Sequence, residues 1–210
     1  MPPRLGNRPG PKPRLSRELV IATAVDLGVE QVTIGAVAEA LQVAPGSLYR
    51  YIDSLDDLVA AALDAVLATE PTPPGDGGWR AYLEAEAWAH WELLRRYAGL
   101  VSRYEGRLAL SSARRLELLV RDLRGFGFTT DTALVAVDAV LDLIHDGAEQ
   151  AAKVHDPDAP DGLTAWMRDA LTLYPQDLRE VVTRIAQDPE RHMIRKLAIV
   201  LDGIAARVAP

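Results

Sequence analysis

The stretch Pro71-Thr72-Pro73-Pro74-Gly75-Asp76-Gly77-Gly78 limits the possible folds more than any other. It cannot continue a helix or enter a sheet, because proline lacks an amide proton and glycine resists ordering, so the chain divides there into two domains. On both sides apolar residues recur every three or four positions. Nowhere is the two-residue alternation of a strand sustained, and no segment repeats internally. The expected fold is all-α: an N-terminal three-helix domain, a connecting helix, the 71–78 linker and a larger C-terminal helical body.

Before the linker, residues 1–15 carry Pro2, Pro3, Pro9, Pro11 and Pro13, and read as an extended basic arm. Ser16 is placed to cap a first helix whose stripe is Leu19, Val20, Thr23, Ala24 and Leu27, ended by Gly28. Thr33 caps a second, short helix with Ile34, Val37, Ala38 and Leu41. After a turn at Gln42-Val43, Pro45 suits the first position of a third helix running to about Tyr51. These helices make a domain over 16–53. Ser54-x-x-Asp57 then resembles a capping box and opens a connecting helix, so that 54–70 joins domain to linker.

The third helix leaves Gly46, Ser47, Tyr49, Arg50 and Tyr51 free to point outward, while Val37, Leu41, Val43 and Leu48 are spent on packing. Two short helices joined by a tight turn can present one of them to a DNA major groove. Gly46 lets a backbone approach closely, Ser47 and the tyrosines can donate to phosphates or bases, and Arg50 can bond guanine or a phosphate. Charge is distributed accordingly. The net charge is −7, yet residues 1–52 hold six basic and four acidic side chains against 17 and 26 in the remainder. Screening confines each charge to about 10 Å, so the acidic remainder need not oppose a polyanion held elsewhere. Taken alone, the basic arm also reads as a mere solubilising tail.

Across residues 16–63 the sequence resembles the TetR family. The likeness rests on the first helix, the Thr33…Ala38…Leu41-x-Val43 pattern, Ser47-Leu48-Tyr49, and Asp56-Asp57-Leu58 at the start of the connecting helix. It implies a dimeric, ligand-responsive regulator, commonly a repressor, that binds double-stranded operator DNA. Tyr49 and Tyr51 would then contact phosphates, Pro45, Gly46, Ser47 and Arg50 would face the groove, and Thr33 would stand at the phosphate-facing start of the second helix. Gln42 replaces the glycine usual in the turn. Leu55 stands where many members carry a phosphate-binding lysine, a role that Lys12, Arg14 and Arg17 are available to fill.

Beyond the linker, helices are expected near 79–97, 107–125, 130–154, 163–172, 176–187 and 190–208, with a turn near 99–105. In the 130–154 helix a polar stripe runs through Asp138, Asp142 and His145, and apolar residues cover most of the rest, which is too wide for one core face. Val137, Val140, Leu141 and Ile144, with Ile194, Leu197, Leu201 and Val208 of the last helix, are therefore the expected homodimer interface. The other reading surrounds that helix with its own domain. For a small-molecule effector, the 79–97 helix offers Glu86, His90, Trp91 and Leu94, and Tyr104 and Trp166 are available to join them. Each is equally readable as core, and Glu86 with His90 as a surface pair one turn apart.

The sequence contains no cysteine, so disulfides and thiolate metal sites are excluded, and a reducing cytoplasm fits. No apolar run reaches membrane-spanning length and no signal peptide is read at the N-terminus. Four scattered histidines make no metal or nucleophile motif, so no cofactor, metal or enzyme activity is expected. The rival reading is a small-molecule binding or sequestering protein whose helix-turn-helix is vestigial, for which Leu55 and the overall acidity speak. An enzyme in the helical body would keep its turnover after deletion of residues 1–53.

Overall fold

The computed structural model describes residues 15–104, 107, 109–156 and 158–210. Among them every regular element is helical, apart from one isolated antiparallel bridge between His155 and Leu163. The chain divides into two compact units, meeting in sequence between Val66 and Leu67. Residues 71–78 therefore lie within the second unit.

In the first unit, α1 (Arg17–Leu27) starts where the Ser16 hydroxyl accepts the Leu19 amide at 3.2 Å, and stops at Gly28, whose φ of 88° needs no Cβ. α2 (Ile34–Ala40) is capped by Thr33, which accepts the Ala36 amide at 3.1 Å. The turn after it places Gln42 at φ 55°, the left-handed region where glycine is usual. The expected third helix is a 3-10 helix, Pro45–Arg50, tightened by Ser47 N–H to Ala44 O and Tyr51 N–H to Leu48 O bonds. α3 (Leu55–Thr69) opens with the Ser54 hydroxyl accepting the Asp57 amide at 3.0 Å, and the Asp57 carboxylate accepts the Asp53 amide at 3.1 Å. Val20, Ala24, Val37, Ala38, Leu48, Ile52 and Leu58 are buried. Packing on these side chains holds such short helices, which would not persist alone.

The second unit is built on α4 (Gly78–Tyr104), α5 (Ala109–Gly125), α6 (Thr130–Val154), α7 (Ala165–Thr172), α8 (Gln176–Gln187) and α9 (Pro189–Arg207). α4 continues past the expected end at residue 97, where Tyr97 leaves helical geometry (φ −119°, ψ 21°) and kinks it. α6 is central, packed against α4, α5 and α9. Its small residues set the spacing: a Cβ on Gly147 would lie 3.3 Å from the Trp91 ring, which is fully buried. α6 begins with a reciprocal Thr129–Thr132 capping box, and α9 with Asp188, whose carboxylate accepts the Arg191 amide at 3.0 Å ahead of Pro189. A smaller cluster of Leu163, Met167, Leu171 and Ala186 holds α7 and α8.

This arrangement corrects the expected dimer interface. Val137, Val140, Ile144, Leu197 and Leu201 are all buried in the core of their own subunit, with at most 3% of their surface exposed. They have no area left to bury against a partner. Leu141 and Val208 pack at the edge of that core, and Ile194 is exposed. Three neighbouring helices, α4, α5 and α9, cover most of the apolar girth of α6, while Leu134 and Val135 stay exposed.

Candidate DNA-binding face and internal cavity

Leu48 anchors the 3-10 helix by complete burial, and the side chains around it point away. Pro45, Gly46, Tyr49 and Arg50 are exposed and Ser47 and Tyr51 half-buried, while Thr33 is exposed at the start of α2. Tyr49 shows 56% of its surface, a large fraction for an aromatic that packing could have used. A Cβ on Gly46 would meet nothing within 4 Å, so no neighbour in the chain requires glycine there. Arg50 has no ion pair among the described residues, which leaves its guanidinium free for an anion.

Arg17 is placed differently from expectation. Its guanidinium forms a fork on Asp57 (3.0 and 3.1 Å) and donates to the Tyr51 carbonyl at 2.6 Å. It ties α1 to the start of α3 with its charge matched by a carboxylate, so it staples the domain. Leu55 is 38% exposed and offers no charge. Lys12 and Arg14 lie outside the described residues.

The six expected effector residues are not brought together. Trp91 and Leu94 are core, Tyr104 is buried near the end of α4, and Trp166 is more than half exposed on α7, its indole donating to the Lys153 carbonyl at 3.1 Å. Among the described residues, Glu86 and His90 share a cavity of about 50 Å³, lined also by Leu67, Glu70, Ala89, Leu93, Ser111, Ser112 and Arg115. Nor are Glu86 and His90 a surface pair. Glu86 is 1% exposed and takes both arms of the Arg115 guanidinium, one at 2.9 Å. Arg115 also donates to the Glu70 carbonyl at 2.8 Å and the Pro71 carbonyl at 3.1 Å, just past the end of α3. The linker is thus fastened where it begins.

His90 Nε2 is buried without a hydrogen-bond partner among the described residues, and its ring meets that of His145 edge-on with centroids 4.8 Å apart. Burial, then the nearness of His145 and Arg115, pushes the His90 imidazole down to about 4, so it is neutral at pH 7. The cavity therefore combines an apolar wall, one unsatisfied imidazole nitrogen and two serines. Arg115, Ser111 and Ser112 were not among the expected residues. Their signal was phase: Ser111, Arg115, Leu119 and Leu123 follow one another at four-residue spacing, and a cation in step with buried leucines needs a buried acid. Among the described residues no three His, Asp or Glu side chains converge to hold a metal, and no helix is long and apolar enough to cross a membrane.

An N-terminal three-helix unit that displays a short polar segment, joined to a helical body with an internal cavity, has the architecture of one-component transcription regulators. Residues 70–208 match the family described as Tetracyclin repressor-like, C-terminal domain. The HTH-type transcriptional repressor DrrR1 of Streptomyces coeruleorubidus is 35% identical over 147 residues, 65% of this chain and 54% of that protein. The chain thus spans about half the length of that relative. The Tetracycline repressor protein class C of Escherichia coli is 26% identical over 200 residues, 91% of each. Among solved structures, the regulator SCO7222, a TetR from Streptomyces coelicolor, superposes with a TM-score of 0.62 at 23% identity, covering 93% of this chain and 100% of that one. BioQ in complex with its double-stranded DNA operator does so with a TM-score of 0.55 at 22% identity, over 92% and 100%. The chain belongs to the TetR family of transcriptional regulators.

Proposed function

We propose that this chain is a homodimeric, sequence-specific DNA-binding regulator, acting as a repressor that a small molecule releases from its operator. The observation that carries this reading is the 3-10 helix Pro45–Arg50: one buried leucine flanked by exposed Pro45, Gly46, Tyr49 and Arg50 and half-buried Ser47, with space at Gly46 that no neighbour fills. Tyr49, Tyr51 and Thr33 would hold phosphates while Pro45, Gly46, Ser47 and Arg50 face base edges. That a protein of the same fold, BioQ, has been solved with its double-stranded DNA operator supports a DNA-binding role.

In the dimer, the exposed apolar residues Leu134 and Val135 of α6 and Ile194 of α9 supply the contact, joined by Leu141 and Val208 at the core edge. Two recognition segments then read half-sites roughly one helical turn apart, about 34 Å. The effector is a small, mostly apolar molecule with a hydrogen-bonding group that satisfies His90 Nε2. It can act only by preferring one of two states. The candidate two-state element is the Arg115 clamp on the Glu70 and Pro71 carbonyls, since releasing it frees the end of α3 to move and alter half-site spacing.

A second reading, a ligand-sequestering protein without DNA function, is favoured by two observations: Arg17 is neutralised by Asp57, and Leu55 offers no cation. A band shift with DNA flanking the protein's own gene, at several salt concentrations, separates the two. The regulator gives a saturable shift that survives competitor DNA, weakens steeply with salt and is reduced by Arg50→Ala. The sequestering protein gives no sequence-specific shift at any salt.

A further inference from the structure

The second unit carries another concavity, remote in its lining from His90 and independent of the DNA-binding reading. It lies among α6, α7, α8 and α9 and measures about 230 Å³. Its walls are apolar, built from Ala151, Val154, Met167, Val182, Ala186 and Met193. A trough next to it shares Ile185 and His192 and is lined by Arg184, Arg191 and Arg195. None of these three guanidiniums has an ion pair among the described residues, in a chain whose net charge is −7. Two carboxylates are near. Asp188 lines the trough but is engaged in capping the Arg191 amide at 3.0 Å, and Asp146 sits 3.8 Å from the Lys196 ammonium. Positive charge therefore remains uncompensated at the mouth of an apolar pocket. His192, on the boundary, registers it: burial, then Lys196 and Arg195, hold its imidazole below the ordinary value.

We propose that this concavity binds an amphipathic anion, with the apolar body among Met167, Ala186 and Met193 and the anionic head at Arg184, Arg191 and Arg195. The apolar walls gain by excluding water, and guanidiniums pair with a carboxylate or sulfate through charge-assisted bonds. A neutral molecule would leave the arginines unanswered, and a purely polar anion would leave the pocket wet. This pairing of an apolar concavity with clustered arginines is what distinguishes the site from the cavity at His90, which has an unpaired imidazole and no free cation.

The test is calorimetric titration of the full chain with decanoate and with 1-decanol. Decanoate should bind one molecule per chain, at least tenfold more tightly than decanol. Arg191→Gln with Arg195→Gln, both on exposed positions, should weaken decanoate about tenfold and leave decanol unchanged, while Ala151→Phe, which fills the slot, should weaken both. Bound decanoate should also raise the His192 pKa in an NMR titration, and His90→Phe should leave decanoate affinity intact. Equal affinity for decanol, indifference to the arginine pair, or loss of binding in His90→Phe would each overturn the assignment. So would absence of decanoate heat together with dissociation of a dimer by the arginine substitutions, which would make the trough an interface between copies.

Discussion

Two single residues carry tension that can be measured. Gln42 occupies left-handed backbone at φ 55°, which costs a side-chain-bearing residue on the order of 1 kcal/mol. Gln42→Gly should therefore raise unfolding stability by up to about 1 kcal/mol in urea, and an unchanged or lower midpoint would mean that its side chain compensates. His90 holds the opposite kind of tension. Its folded pKa of about 4 lies below the ordinary 6.5, so the unfolded chain binds the proton first. The contribution from keeping His90 neutral is complete above about pH 6.5 and is lost as the pH falls towards 4. The loss is on the order of 3 kcal/mol, and His90→Gln should flatten the stability profile across that window relative to the parent chain.

At the scale of elements, α3 has an arginine–carboxylate fork at each end: Arg17 on Asp57 where it begins, and Arg115 on Glu86, holding the Glu70 and Pro71 carbonyls, just beyond where it stops. The two forks differ in worth. Arg17 is partly exposed, so the pair contributes about 1 kcal/mol at most. Glu86 is buried, and removing its charge strands Arg115, so Glu86→Gln should cost about 3 kcal/mol by chemical denaturation. Helix positions were legible because their signals are local. Ser16, Thr33, Ser54 and the Asp188-Pro189 pair all act within four residues of the end they mark. The Glu86–Arg115 pair was not legible in that way, since 29 residues separate its members and only their phase with buried leucines marks them. Nor does periodicity tell which neighbour an apolar stripe will meet. Val137 and Leu201 read as interface and are core, because α6 lies against three helices of its own subunit.

For the whole molecule, the family and the polar face of Pro45–Arg50 were written in a contiguous segment, so they were legible together. The cavity at His90 was not, because its lining comes largely from α3, α4 and α5 and half of it is ordinary core in any one-dimensional reading. Assembly follows from what is left exposed. Sedimentation should show a dimer at micromolar concentration, and Ile194→Lys, placed on an exposed apolar position of α9, should shift it to monomer without lowering helix content. A monomer in the parent chain would remove the paired recognition segments on which operator spacing depends.

Selection of bound sequences from a random DNA pool by the full chain, with Arg50→Ala as control, examines the DNA reading most directly. Enrichment of an inverted repeat with half-sites about 10 base pairs apart, weakened by roughly 1–3 kcal/mol in Arg50→Ala, is the expected result. A pool that stays random at every salt concentration would contradict it and leave a ligand-binding protein whose helix-turn-helix no longer reads DNA.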